Sequence, residues 1–334
     1  MNTARTRDHA LAALHGLAIG DALGMPTQLL SRSDIANRFG VIEGFEDGPA
    51  DHPIAPGLRA GTITDDTEQA LLVARLLLEG DGHIDPDRFA TELTLWEKEM
   101  AAKGSADLLG PSTKSAISAI AEGKSPQETG RTGTTNGAAM RIAPVGVATP
   151  HEPLDLLLDR VVEAGLVTHN TGLGIASAAA VAAAVSAGIA GATPQEALDA
   201  GQHAAKVGAT RGHWIAGGDM AARIGWARTH VIGRGEAEVL DFTYDVVGTS
   251  VASQESVVAV FALAQHCVDD PWKAVRLAAA LGGDTDTVAA ILGAILGACH
   301  GTAAFPAEAA ATVRDVNGID FESLTDELLA LRAR

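Results

Sequence analysis

"GGDTDTVAAILGAILGA", residues 282–298, falls into two halves. Asp284, Thr285, Asp286 and Thr287 crowd behind a pair of glycines, and an almost wholly apolar run follows. A run with no polar face reads as a helix buried on every side, so the core is expected to be helical. Asp and Thr suit a helix start, because their oxygens accept hydrogen bonds from the first unpaired N–H groups. One capping residue meets that need. A second carboxylate two residues later has no reason to point into a crowded interior unless it has a partner there.

That partner is sought in residues 61–80, "GTITDDTEQALLVARLLLEG", which repeat the design. Gly61 precedes Thr64, Asp65, Asp66 and Thr67, and an apolar helix follows at once. Two helices that each begin with Asp and Thr fit converging N-termini around shared cations, with plain double capping as the alternative. Oxygen-only donors favour hard ions such as Mg²⁺ or Mn²⁺ over zinc, and a partly positive helix start keeps the carboxylates ionised. "AIGDALGMPTQ", residues 18–28, adds Asp21 inside an apolar helix, where it needs a donor or a cation. "GTTNGAAMRIAP", residues 133–144, offers small residues whose N–H groups suit phosphate oxygens, and "VTHN", residues 167–170, places His169 before an apolar run.

Composition narrows the rest. The chain has 334 residues, a net charge of −18 and two cysteines, Cys267 and Cys299, each in an apolar helical stretch. Such acidity argues against nucleic acid, which needs a basic face, and suits a site that gathers divalent cations. Two buried thiols fit a reducing cytoplasm better than a disulfide. No targeting signal is read at the N-terminus, because Asp8, His9, His15 and Asp21 interrupt its apolar stretch. Residues 171–192 carry no charge and are long enough to span a bilayer, but they are mostly Ala, Gly and Ser, so a central packed helix is expected and no membrane.

Helix starts recur: "SPQE" at 125–128, "TPQE" at 193–196, "DPDR" at 85–88 and "DPW" at 270–272. Alternating strand patterns are nearly absent, and small residues on many helices permit close approach, which predicts one compact all-α domain. Two irregular, Gly-rich segments, residues 40–62 and 129–146, are expected to be loops whose backbone approaches a ligand.

Taken together, "GDALG", "TDDT", "NGAAMRIAP", "THNT" and "GGDTDT", in this order, resemble the ADP-ribosylglycohydrolase family. The resemblance implies a single orthogonal helical domain over residues 1–334, monomeric or weakly homo-oligomeric, with a centre of two Mg²⁺ or Mn²⁺ ions. The implied activity is cleavage at the ribose of an ADP-ribosylated protein or small-molecule ribosyl compound. Thr64, Asp65 and Asp66 correspond to ligands on one side of the centre, and Asp284, Asp286 and Thr287 to those on the other. Asn136, Gly137, Ala138, Ala139 and Met140 correspond to the substrate loop near the diphosphate, and His169 to a residue near the ribose. Many relatives carry a Glu where this chain has Gln28, and an amide cannot accept a proton at neutral pH. Asp21, Gln28, Asp66 and Asp286 are therefore the catalytic candidates, with a carboxylate of the 40–62 loop as a further one. Two other readings follow from the amide: a glycosidase of a small nucleoside or sugar derivative, or a metal-stabilised binding protein without turnover, as in the family's lens crystallins. Arg131, Arg141 and Lys114 are possible diphosphate partners, with solvation at the surface as the alternative for each.

Overall fold

Gly16, Gly20 and Gly24 recur every four residues along the first helix, Thr3–Gly24, and so form a stripe without side chains. The apolar half of the opening motif forms the helix Thr285–His300, and its small residues meet that stripe. A Cβ added at Gly16 would lie 2.1 Å from the Gly293 carbonyl oxygen, and one at Gly20 2.0 Å from that of Ala289. At Gly24 the added atom would lie 2.3 Å from Asp286 Cα. The two backbones therefore touch directly, at separations that only glycine permits. Among the described residues this seam is the most extensive helix pairing.

The computed structural model describes residues 3–102 and 110–334. It is 69% helical, and among the described residues there is no strand, only two isolated bridges. The helices share one main hydrophobic core in a single compact domain. The uncharged run forms the helix Gly172–Ala190, buried from Gly172 to Ile189, so the stretch long enough for a membrane is the central helix of the fold. Both cysteines are free and buried, and burial pushes their thiols up, to about 11 for Cys267 and about 12 for Cys299.

The start signals act as read at three of four places. Thr193 and Glu196 form a reciprocal capping box, Asp85 accepts from Arg88 N at 2.8 Å, and Asp270 accepts from Lys273 N at 3.1 Å. "SPQE" opens only one turn, Pro126–Thr129, in which Ser125 makes no side-chain cap bond.

Residues 40–62 are irregular as expected, but residues 129–146 are not one loop. They hold the turn Gly137–Met140 and the start of the helix Ala143–Ala148, which has Pro144 in its first turn. The glycines of this segment also serve another purpose than the one expected. A Cβ at Gly130 would lie 2.2 Å from the Leu166 carbonyl oxygen, and one at Gly133 2.0 Å from that of Thr168. The close approach is to the end of the helix Leu154–His169, the protein's own backbone.

The seam gives a direct test. Gly20→Ala forces the two helices apart and is expected to lower the unfolding free energy by about 3 kcal/mol, measured by urea titration. Gly165→Ala, in a helix where an added Cβ meets nothing within 4 Å, is expected to raise it by about 1 kcal/mol. Equal effects of the two substitutions would contradict the backbone contact.

Candidate metal centre

The first helix brings Asp21 against the start of the helix Asp65–Glu79, and Asp21 does there what a local cap ordinarily does. Thr64 is the N-cap residue but makes no side-chain cap bond. Instead Asp21 accepts from Thr64 N at 2.9 and 3.0 Å, from Thr67 N at 3.1 Å, and from the hydroxyls of Thr64 and Thr67 at 2.7 and 2.5 Å. Both Asp21 oxygens are thus committed to the positive end of that helix. Burial raises the Asp21 pKa to about 6, while these hydrogen bonds pull it down.

Capping done from outside leaves Asp65 and Asp66 free. At the second helix start the outcome is the same, since Asp284 occupies the N-cap position without a side-chain cap bond. Gly282 and Gly283 both have positive φ, 91° and 82°, and turn the chain sharply into the helix. An added Cβ at Gly283 would also strike Thr249 Oγ1 at 2.4 Å. Thr285 faces away from the other oxygens and is tied to Gly24 O at 3.1 Å and Thr27 Oγ1 at 2.9 Å, as a latch to the end of the first helix.

The two starts converge. Thr287 Oγ1 donates to Asp66 Oδ2 at 3.2 Å. Thr64 Oγ1, whose proton goes to Asp21, lies 3.4 Å from Asp66 Oδ2 and 3.5 Å from Asp286 Oδ2. One oxygen each of Asp65, Asp66 and Asp286 fall within 4.8 Å of one another. Asp66 Oδ1 and Asp286 Oδ1 are fully buried and have no hydrogen-bond partner. A buried carboxylate oxygen without a donor is costly, and two of them side by side repel. Burial first, and the neighbouring carboxylates second, push Asp65, Asp66 and Asp286 well above the ordinary carboxylate value. Three carboxylates in one cluster, two of them with an orphaned oxygen, fit a hard divalent cation.

Around this cluster lie the other expected residues. Asn136 Nδ2 donates to Asp284 Oδ2 and, at 3.0 Å, to Ser256 Oγ. The turn Gly137–Met140, which contains Ala138 and Ala139, is wholly buried beside it. An atom added at Gly137 would lie 2.9 Å from His169 Cε1, so this glycine makes room for the ring. His169 is fully buried, and burial followed by the Arg141 charge holds its pKa well below the usual value. Gln28 is also buried; its amide bonds to Met25 O at 3.3 Å, and its backbone oxygen accepts from His52 Nε2 at 2.9 Å. The carboxylates of the 40–62 loop stand apart on the surface: Asp51 pairs with Arg38 at 2.9 Å, Glu43 with Arg276 at 2.6 Å, and Asp47 accepts from Ala60 N at 2.7 Å.

Arg141 departs from both expectations, since it is neither solvated nor open to a ligand. It is wholly buried, under the Phe89 ring at 4.8 Å, and bonds to Gln69 Oε1 and Thr168 Oγ1. Arg131 pairs with Glu128 at 3.3 Å on the surface. Gln69 and Thr168 were not singled out from the sequence, although signals existed. Gln69 stands four residues after Asp65, hence on the same helix face, and Thr168 directly precedes His169.

Comparison with known proteins places this geometry. The model of the ADP-ribosylglycohydrolase family matches residues 2–334. The chain is 36% identical over 329 residues to the protein YegU of Escherichia coli (strain K12), covering 97% of each. It is 32% identical over 163 residues to the ADP-ribosyl-[dinitrogen reductase] glycohydrolase of Rhodospirillum rubrum, covering 49% of this chain and 52% of that one. Among solved structures, an ADP-ribosylglycohydrolase-related protein complex superposes with a TM-score of 0.73 at 26% identity, over 98% of this chain and 99% of that one.

The cluster predicts a pH dependence whose sign depends on the cation. Folding raises the proton affinity of these carboxylates above the ordinary value of 3.8. Without divalent cation, the stability they contribute is therefore complete below that value. It is lost as pH rises through about 6 for Asp21 and Asp284, and Asp66 and Asp286, whose burial among carboxylates also raises them well above the ordinary value, act in the same direction. Cations require the deprotonated form, so the rise in melting temperature with Mg²⁺ or Mn²⁺ is expected to grow with pH. In chelator, Asp286→Asn is expected to melt above the wild type, through relief of repulsion, and to gain nothing from either ion. A wild-type melting temperature indifferent to both ions and to chelator would leave the cluster no metal to hold.

Proposed function

Because the chain belongs to the ADP-ribosylglycohydrolase family, we propose that it hydrolyses the glycosidic bond at the ribose of an ADP-ribosylated protein or small molecule with the help of divalent cations. The observation that carries this reading is the pair of orphaned oxygens, Asp66 Oδ1 and Asp286 Oδ1, on two residues of one buried carboxylate cluster. In this reading Thr64, Asp65 and Asp66 on one helix start, and Asp284, Asp286 and Thr287 on the other, hold two ions, Mg²⁺ or Mn²⁺. When bound, such ions supply Lewis acidity and stabilise the oxygen charge that develops as the glycosidic bond opens.

The chain's own side chains divide the remaining work. Asn136 holds Asp284 from the substrate-loop side and so ties the loop to the second helix start. His169, packed on Gly137 with its nitrogens taken by Thr168 and Thr135, is a neutral imidazole that acts on the ribose by holding the partly exposed Thr135 hydroxyl in place. Ala139 N and Met140 N donate to Asn136 O, which leaves the N–H groups of Gly137 and Ala138, at the start of the turn, to face a diphosphate. With an amide at position 28, proton transfer falls to a carboxylate. Asp21 has both oxygens committed to Thr64 and Thr67, which leaves Asp66 and Asp286 as the acceptors. Gln28, held against its own turn, orients a hydroxyl or a water. The buried thiols and the acidic surface agree with a cytoplasmic setting.

The amide at 28 also supports a second reading, a glycosidase of a small nucleoside or sugar derivative. One assay separates the two. Release of ADP-ribose from an ADP-ribosylated protein or small molecule, dependent on Mg²⁺ or Mn²⁺ and abolished by chelator, is the expected result; release of sugar from nucleosides alone would favour the second. Gln28→Ala is expected to retain activity, reduced about 10- to 100-fold through lost positioning. Gly137→Val, which drives a side chain into the His169 ring, is expected to weaken ADP-ribose binding while divalent-ion affinity measured by calorimetry stays unchanged.

A further inference from the structure

Arg141 lies between the two halves of the site and touches both through one intermediate each. On the acidic side, its Nη1 donates to Gln69 Oε1 at 2.8 Å, and Gln69 Nε2 donates to Asp65 Oδ2 at 3.3 Å. On the other side, its Nη2 donates to Thr168 Oγ1 at 2.6 Å and, more weakly, to Ala164 O at 3.4 Å. Thr168 Oγ1 in turn lies 2.7 Å from His169 Nδ1, and His169 Nε2 lies 2.9 Å from Thr135 Oγ1.

The polarity of this chain follows from its origin. A guanidinium can only donate, so Thr168 Oγ1 accepts from it, and with His169 Nδ1 as its one other hydrogen-bond partner the Thr168 hydroxyl gives its proton there. Nδ1 is then the acceptor, and the ring carries its proton on Nε2, the nitrogen that faces Thr135 and the Gly137 turn. Gln69 is fixed in the same way. Its oxygen faces Arg141, so its amide nitrogen faces Asp65 and holds that carboxylate at one oxygen. The guanidinium is held by its two Nη bonds and by burial over the Phe89 ring, while its Nε has no hydrogen-bond partner. A buried cation with one donor left unsatisfied is expensive as packing alone, and an apolar side chain would fill the space at lower cost.

We propose that Arg141 is a positioning residue that sets both sides of the site at once, orienting Asp65 through Gln69 and fixing His169 as the Nε2–H tautomer through Thr168. The inference rests on the functional reading above for the part each side plays. The geometry of the relay is independent of it. Lysine cannot replace arginine here, since one ammonium cannot reproduce a rigid fork aimed at two acceptors.

Two near-isosteric variants cut the relay on either side of Arg141. Thr168→Val removes the donor to His169 Nδ1. Long-range ¹H–¹⁵N spectra of histidine-labelled protein, assigned with His169→Gln, are expected to show Nε2 protonated and Nδ1 bare in the wild type, and mixed tautomers in Thr168→Val. ADP-ribose affinity is expected to fall roughly 5- to 10-fold in that variant, the worth of one hydrogen bond, with Mg²⁺ and Mn²⁺ affinity unchanged. Gln69→Leu is expected to do the reverse, weakening the ions by a similar factor and leaving the ring tautomer as in the wild type. Arg141→Lys is expected to shift both; should it fail to fold, the two isosteres decide. Wild-type ring signals in Thr168→Val, or a wild-type His169 protonated on Nδ1, would overturn the relay. A wild type that binds cations but not ADP-ribose would instead count against the functional reading, while the ring signals and cation affinities still judge the relay.

Discussion

Five buried aspartates, Asp21, Asp65, Asp66, Asp284 and Asp286, share one end of the helix seam, and they are the only buried carboxylates among the described residues. Carboxylates do not enter a protein interior without donors, counter-charge or protons. Four of the five find donors. Asp21 takes four from the start of the Asp65–Glu79 helix, Asp284 takes the Asn136 amide, Asp65 the Gln69 amide, and Asp66, at one oxygen, the Thr287 hydroxyl. Asp66 and Asp286 each keep an oxygen with nothing to bond, and the nearest buried guanidinium reaches the cluster only through Gln69. The imbalance is stable only if something positive joins it. This demand organises the surrounding elements.

The glycine seam is what brings the charges together. Direct contact between the helices Thr3–Gly24 and Thr285–His300 sets Gly24 on the backbone of Asp286, and so places Asp21, three residues earlier, beside both acidic helix starts. Thr27 and Thr285 then lock the ends of the two helices through a shared pair of hydroxyls. Because Asp21 caps the Asp65–Glu79 helix from outside, Asp65 and Asp66 are relieved of that task. Capping, which would compete with a cation for the same oxygens when a helix is considered alone, is thus carried by a different residue.

Much of this was legible in the chain. The two Asp/Thr clusters, each ahead of an apolar helix, marked the residues that converge, and the all-α fold followed from helix starts and the lack of alternation. The weaker readings failed for a common reason. Gly130 and Gly133 signal close approach, but nothing in their spacing says to what, and the answer is the end of a neighbouring helix. Arg141 looks like a surface cation or a phosphate ligand in "AAMRIAP", and only the packing of Phe89, Gln69 and Thr168 around it makes it a buried fork. Within "DTDT" the residue types are alike, yet Thr285 latches the first helix while its neighbours face the cluster.

The amino-acid sequence by itself determined which residues could do chemistry here. Carboxylates at helix starts, small residues along helices and a histidine before the central helix are local properties, carried by residue type and spacing. Which oxygen meets which donor was decided only by the tertiary structure. Asp21 and Thr64 are forty-three residues apart, Asn136 and Asp284 one hundred and forty-eight, and Thr64 and Asp286 two hundred and twenty-two. No periodicity encodes such pairings, because they arise where separate helices cross, and the crossing is set by backbone contact between glycines whose partners lie at the far end of the chain.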